Sequence, residues 1–134
     1  MILVDTSVWI DFFRAKDLPY VQQLEKFIEH GENIVLCGVI LTEILQDIVD
    51  ESTYLRTRDY LNFLQLLPMT KEIFIHAAQI YRILRTRGIT IRKPLDCMIA
   101  ATALTHQAQL LHNDRDFTAI SQHYPSLLIM RAPH

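Results

Sequence analysis

Five of the fifteen acidic residues stand where an acid has chemical meaning. Asp5 ends the apolar run Ile2-Leu3-Val4 and is followed at once by the hydroxyls of Thr6 and Ser7. Glu43 lies in LTEIL, little more than one turn beyond Gly38. Asp96 lies in KPLDCMIAA, just after Pro94, and Asp114 and Asp116 follow Leu110-Leu111-His112 in HNDRDF. Singly, each has a structural explanation as a helix cap, a first-turn acid or a turn residue. Together they describe acids at the ends of separate buried elements. Two carboxylates about 4 Å apart repel by roughly 4 kcal/mol at an effective dielectric of about 20. A hard divalent cation removes that repulsion. Oxygen donors without a Cys or His partner favour Mg2+, with Mn2+ as a substitute, over Zn2+. The matching chemistry is phosphodiester hydrolysis, with one or two ions holding the phosphate, activating a water and steadying the leaving oxygen.

For these acids to meet, the chain must carry them to one edge of a sheet. Ile2–Val4, Asn33–Leu36, Gln109–His112 and Leu127–Met130 read as short strands, and Leu66–Met69 as a further one pinned by Pro68. They are continuous apolar runs, as expected of a parallel sheet covered on both faces. Helical stretches lie between them. VWIDFFRA is capped by Thr6 or Ser7, and LPYVQQLEKFIEH by Asp17, with Gly31 past its end. VILTEILQDIV carries Ile40, Ile44 and Ile48 on one stripe, and YLRTRDYLNFLQLL forms a further helix. KEIFIHAAQIYRILRTRG ends at Gly88, and the small apolar segment after Pro94 is an internal helix. In an open parallel sheet, ligands bind at the carboxyl ends of the strands, where Asp5 and Asp114 would lie. The expectation is an α/β fold with a central, mostly parallel sheet of four to five strands flanked by helices.

Length and composition set the frame. A chain of 134 residues, half of them hydrophobic, suits one domain over residues 1–134. Net charge is −2, which argues against a basic coat for nucleic acid but leaves room for a local patch. Arg82, Arg85, Arg87, Arg92 and Lys93 supply one, uninterrupted by acids and leading into Asp96; Arg115 stands between the last two acids. They are either a solvated helix face or a track for a phosphate backbone. Cys37 and Cys97 sit in apolar runs and read as buried free thiols of a reducing compartment, with the cytoplasm as default location. No signal peptide and no apolar run near 18 residues is evident. His30, His76, His106, His112, His123 and His134 are scattered without zinc spacing, and only His112 adjoins the acids. Tyr54, Tyr60 and Phe63 add apolar surface suited to a homodimer face or a partner groove.

VDTSVWIDFF, TEI, PLDCMIAATAL and LLHNDRDF, in this order, resemble the PIN-domain ribonucleases, in particular the VapC-type toxins of bacterial toxin–antitoxin pairs. The resemblance covers essentially the whole chain. It implies a three-layer PIN-like fold, magnesium-dependent endonucleolytic cleavage of RNA, a homodimer, and neutralisation by a cognate VapB-type antitoxin in a hetero-oligomer. By position, Asp5, Glu43 and Asp96 match three acids of the family's motif. The fourth is Asp114 or Asp116, and His112 stands where many members carry Thr or Ser. The catalytic set is therefore Asp5, Glu43, Asp96, Asp114 and Asp116. Asp5, Asp96 and Asp114 are the expected metal ligands, with Glu43 orienting or deprotonating the water. Thr6, Ser7 and Asn113 are expected to support the acids. An aspartyl phosphatase fits poorly, because Asp5-Thr6-Ser7 lacks its Asp-x-Asp pair. A receiver-like domain lacks an acceptor acid after Leu36-Cys37-Gly38. A catalytically weak or inactive RNA-binding module on the same fold stands as the alternative.

Overall fold

The computed structural model describes residues 1–130; His134 lies outside them. The element order is β1 (Ile2–Val4), α1 (Thr6–Phe13), α2 (Pro19–Glu29), β2 (Ile34–Cys37), α3 (Gly38–Gln46), α4 (Glu51–Leu61), β3 (Gln65–Leu67), α5 (Lys71–Thr86), α6 (Pro94–His106), β4 (Gln109–Leu111), α7 (Arg115–His123) and β5 (Leu128–Met130).

The five strands form one all-parallel sheet in the order β3-β2-β1-β4-β5. Strands β1 and β2 are buried throughout because their residues are apolar on both faces, and β4 is buried beyond the exposed Gln109: Leu3, Val4, Val35 and Leu110 are fully enclosed. The chain leaves β1 towards β2 on one side, and β4 leads to β5 on the other. The crevice between the carboxyl ends of β1 and β4 is therefore the topological switch point. The parallel pairing makes every connection between strands a crossover that carries helices. Helix α1 packs on α2 and α3, α3 on α4, and α5, α6 and α7 pack together. Helix α6 is enclosed along most of its length because Ala100, Ala101 and Ala103 let neighbouring backbones close in.

Three local expectations are corrected. Asp5 is the cap of α1, which starts at Thr6, since the Asp5 carboxylate reaches the Ser7 N–H before either hydroxyl does. Asp17 does not cap α2; Leu18 holds that position without a side-chain bond, and the Asp17 carboxylate accepts from the Gln22 side chain at 2.6 Å. The helix expected over YLRTRDYLNFLQLL starts earlier, at Glu51, because Asp50 accepts the Thr53 N–H at 2.7 Å. It stops at Leu61, and Gln65–Leu67 joins the sheet edge beside β2, ahead of Pro68. At the end of α5, Gly88 takes a positive φ of 78°, the left-handed turn for which glycine has no side-chain penalty.

Candidate active site

The last residue of β1 delivers Asp5 to the switch point. Its backbone N–H donates to the Leu111 carbonyl at 2.9 Å, tying the ends of β1 and β4 together. Its carboxylate accepts from the Ser7 hydroxyl at 2.7 Å, and its residue is almost completely buried. Burial pushes the Asp5 carboxyl pKa up; the Ser7 bonds oppose this and the Asp114 charge adds to it.

Glu43 projects from α3 into the same space. Its Oε1 accepts from the Thr6 hydroxyl at 2.9 Å, a bond between residues 37 apart in sequence. Burial raises its pKa, with Thr6 opposing and Asp5 reinforcing. The expected support from Thr6 and Ser7 thus takes a divided form, Thr6 on Glu43 and Ser7 on Asp5. Among the described residues, no side-chain hydrogen bond joins the exposed Asn113 to the acids.

Asp96 stands in the first turn of α6, where Pro94 sets the helix start. It is 4% exposed, and its Oδ2 has no hydrogen-bond partner among the described residues. Burial, then the charges of Asp114 and Asp5, push its carboxyl up to about 8, despite Lys93 nearby. Asp114 shifts the other way. Burial works to raise it, but the Asp116 N–H, the Asp96 carboxyl and Lys93 outweigh burial and hold it below the usual range. The two carboxyls are thus driven apart, Asp96 upward and Asp114 downward, as expected of crowded carboxyls that resist ionising together.

Asp114 and Asp116 are held differently. The Asp114 Oδ1 accepts the Asp116 N–H at 2.9 Å, capping α7, and Lys93 Nζ reaches its Oδ2 at 3.5 Å. The Asp116 Oδ2 accepts the Arg92 backbone N–H at 3.2 Å, and its Oδ1 lies 3.6 Å from Arg92 Nε. Carboxylate oxygens of Asp96, Asp114 and Asp116 lie within 4.8 Å of one another, close enough to share one ion. This is a tighter group than the expected trio of Asp5, Asp96 and Asp114. Asp5 faces Asp96 across a cavity of about 190 Å³ that is also lined by Thr6, Ser7, Glu43 and Lys93. The donor set suits a hard divalent cation: all oxygen, mostly buried, with one oxygen of Asp96 left without a partner.

Gln46 and Asp47 also line this cavity and were missed from sequence. Their positions three and four residues after Glu43 were the available signal, since such residues share a helix face.

The basic residues divide into two groups. Arg92 and Lys93 are turned onto the acids. Arg82, Arg85 and Arg87 are exposed on and just beyond α5, away from that contact. Arg82 and Arg85 line a shallow groove with Gln79 and Thr86; the Arg85 guanidinium lies 5.8 Å over the Tyr81 ring, and Arg87 meets His123 Nδ1 at 2.7 Å. Arg115 is exposed at the start of α7. His112 accepts the Asp114 N–H on Nδ1 at 3.0 Å, and burial lowers its pKa, so it is a neutral brace for the acidic loop. Both cysteines are free and buried, and burial pushes the Cys97 thiol up to about 11. Trp9 is fully enclosed against Phe12, Phe13 and Tyr60, whereas Phe63 is 91% exposed. Among the described residues, no helix is long and apolar enough to cross a membrane.

A parallel sheet with acids collected at its switch point is the arrangement of a known class. Residues 2–122 match the family model of the PIN domain, and the chain belongs to that family. Its VapC-type character follows from a relative, Ribonuclease VapC11 of Mycobacterium tuberculosis. The two are 37% identical over 124 residues, which cover 91% of this chain and 92% of the relative. Among solved structures, FitAcB from Neisseria gonorrhoeae superposes with a TM-score of 0.76 at 22% identity, covering 98% of each chain. A toxin–antitoxin complex from Klebsiella pneumoniae gives 0.73 at 20% identity, over 100% of this chain and 99% of that one.

Proposed function

We propose that this protein is a magnesium-dependent endoribonuclease toxin, one PIN-like domain acting in the cytoplasm and neutralised by a cognate VapB-type antitoxin. The observation that carries this reading is the cluster at the switch point: Asp96, Asp114 and Asp116 within 4.8 Å, with the Asp96 Oδ2 left without a partner. The names of the mycobacterial relative and of the Klebsiella complex support the ribonuclease and antitoxin parts.

In this reading Asp96 and Asp114, with Asp5 or Asp116 completing the set, hold Mg2+, or Mn2+ in its place. The ion would supply charge neutralisation of the phosphate and a more acidic water. The chain's own groups do the rest. Glu43, held by the Thr6 hydroxyl, orients the attacking water and takes its proton. Its raised pKa suits that task better than an ordinary carboxylate would. Attack at phosphorus forms one P–O bond and breaks the bond to O3′, which takes a proton from solvent water, leaving a 5′-phosphate and a 3′-hydroxyl. Arg82, Arg85, Arg87 and Arg115 hold backbone phosphates on the approach to the cleft, and Arg92 and Lys93 lie at the cleft itself. The aromatic surface around Tyr60 and Phe63 offers apolar area to the antitoxin or to a second copy.

The test is cleavage of a structured RNA by the purified protein. Activity is expected with Mg2+ or Mn2+, none in EDTA, and a loss of at least about 10³-fold in Asp5→Asn, with 5′-phosphate ends on the products. Undiminished cleavage in EDTA, or 2′,3′-cyclic phosphate ends, would reject the mechanism. An inert but RNA-binding parent would favour the binding-module alternative.

A further inference from the structure

Asp114 is gripped by two cations from one loop. Lys93 Nζ lies 3.5 Å from its Oδ2 and the Arg92 guanidinium 3.7 Å from its Oδ1. The two cations are fixed to different degrees. Arg92 is anchored twice to Asp116, through its backbone N–H and its Nε. Among the described residues, Lys93 is held by the single pair with Asp114, and its side chain is 62% exposed on a four-carbon stem. The root of that stem is steady. Lys93 is the cap residue of α6, and Pro94 after it favours the extended backbone seen there, with φ −116° and ψ 101°. The stem also borders the cavity between Asp5, Glu43 and Asp96.

We propose that Lys93 is a movable counter-charge that neutralises Asp114 while the acids hold no ion and turns to a non-bridging oxygen of the scissile phosphate when ion and RNA are bound. The inference rests on the metal-dependent nuclease reading above. An ion at the carboxylates draws on Asp114, the group that Lys93 now contacts, and an ammonium so close to a divalent cation is repelled. The cavity is the adjoining space, and an arriving phosphate carries into it the negative charge that Lys93 has lost. There a fixed positive charge counts most while phosphorus is being attacked, as charge shifts onto the phosphate oxygens. Lys93 transfers no proton in this scheme. Glu43 takes the proton of the water, and O3′ departs with the electron pair of its bond to phosphorus and is protonated by solvent water. Arg92 stays on Asp116 throughout and keeps the loop in place.

Two measurements test the proposal, Mn2+ binding without RNA and steady-state cleavage with RNA. Lys93→Ala removes a cation that competes for the site, so it is expected to bind Mn2+ about tenfold more tightly than the parent. The same variant is expected to lose about 10²-fold in kcat with KM changed less than about threefold. Lys93→Arg keeps the charge, so its Mn2+ affinity should match the parent's and part of kcat should return. Lys26→Ala, which removes an exposed lysine at the end of α2, controls for net charge and should move neither value. Unchanged Mn2+ affinity in Lys93→Ala overturns the inference, as does a loss confined to KM. If Asp96→Asn leaves Mn2+ binding intact, the acid site is misplaced, and the nuclease reading fails along with the inference. A parent that binds Mn2+ through Asp96 and cleaves, beside a Lys93→Ala protein that behaves like it, fails the inference alone.

Discussion

Replacing Asp96 with Asn should stabilise the metal-free protein at neutral pH while abolishing its response to metal. In the folded chain the Asp96 carboxyl is pushed from an ordinary 3.8 up to about 8 by burial, then by Asp114 and Asp5. For an acid the sign is unfavourable: the folded state keeps a proton that the unfolded chain releases above about pH 4. Asp96 therefore costs nothing below its unfolded pKa, and the cost grows as pH rises towards its folded pKa. At about 1.4 kcal/mol per unit, the gap between 3.8 and neutrality amounts to roughly 4 kcal/mol at pH 7. Water entry and movement of Lys93 reduce this to about 2 kcal/mol. Asn has no such titration, and its amide carries a donor for the neighbouring Asp114 carboxylate. In EDTA, Asp96→Asn should melt roughly 6–10 °C above the parent near pH 7.5. The difference should shrink to under about 1 kcal/mol at pH 5. Saturating Mn2+ should raise the parent's melting temperature, more at pH 8 than at pH 6 because binding must expel the Asp96 proton, and leave the variant unmoved. A parent whose metal-free stability is flat between pH 5 and 8, or a variant equally destabilised at both, would refute the electrostatic account of this cluster.

Glu43→Gln keeps the bond from Thr6 but removes the base, so kcat should drop about 10³-fold while Mn2+ binding by calorimetry changes only a few-fold. Its metal-free stability should rise slightly at pH 8, since the Glu43 carboxyl also has a raised pKa. Arg82→Ala with Arg85→Ala should raise KM for RNA and flatten the slope of log KM against log salt by about 1.4, with kcat unchanged. Trp9→Ala empties the space between Phe12, Phe13 and Tyr60 and should cost about 3–5 kcal/mol in urea unfolding.

Where the sequence was legible, the reason was simple chemistry. Continuous runs such as Ile2-Leu3-Val4 announce a strand buried on both faces, and acids recurring at the ends of several such elements call for more than capping. Gly88 and Pro94 marked real helix limits, Gly88 because glycine takes a positive φ without penalty and Pro94 because its ring presets the φ of a first helical turn. Legibility failed where several polar residues competed for one task. Asp5, Thr6 and Ser7 are all good caps, and only the tertiary bonds of Thr6 to Glu43 and of Ser7 to Asp5 decide among them. The start of α4 was hidden because Asp50-Glu51-Ser52-Thr53 carries no apolar period, whereas a cap bond defines it. The β3 edge strand has two exposed residues of its three, so its apolar pattern blended into the helix before it. The arginines from position 82 onward form one block in sequence but split in space. An exposed helix and a loop turned onto acids look alike when only charge is read.

The HNDRDF segment offers two acids one residue apart, and a helix cap placed between them gives them different surroundings. Asp114 caps α7, so its side chain faces back along the switch point toward Asp96 and Asp5, whose carboxyls feel its charge. Asp116 lies inside the first turn, and both of its oxygens are directed at Arg92. Through Arg92 it fixes the loop that carries Lys93 and sets the start of α6, and hence the place of Asp96. Within the proposed mechanism a cation that draws on Asp116 must share both of its oxygens with Arg92, whereas at Asp114 the guanidinium reaches only Oδ1, at 3.7 Å, and Oδ2 meets only the mobile Lys93 ammonium. The stronger claim on the ion therefore belongs to Asp114, and Asp116 acts mainly by holding the loop that brings Lys93 and Asp96 into register.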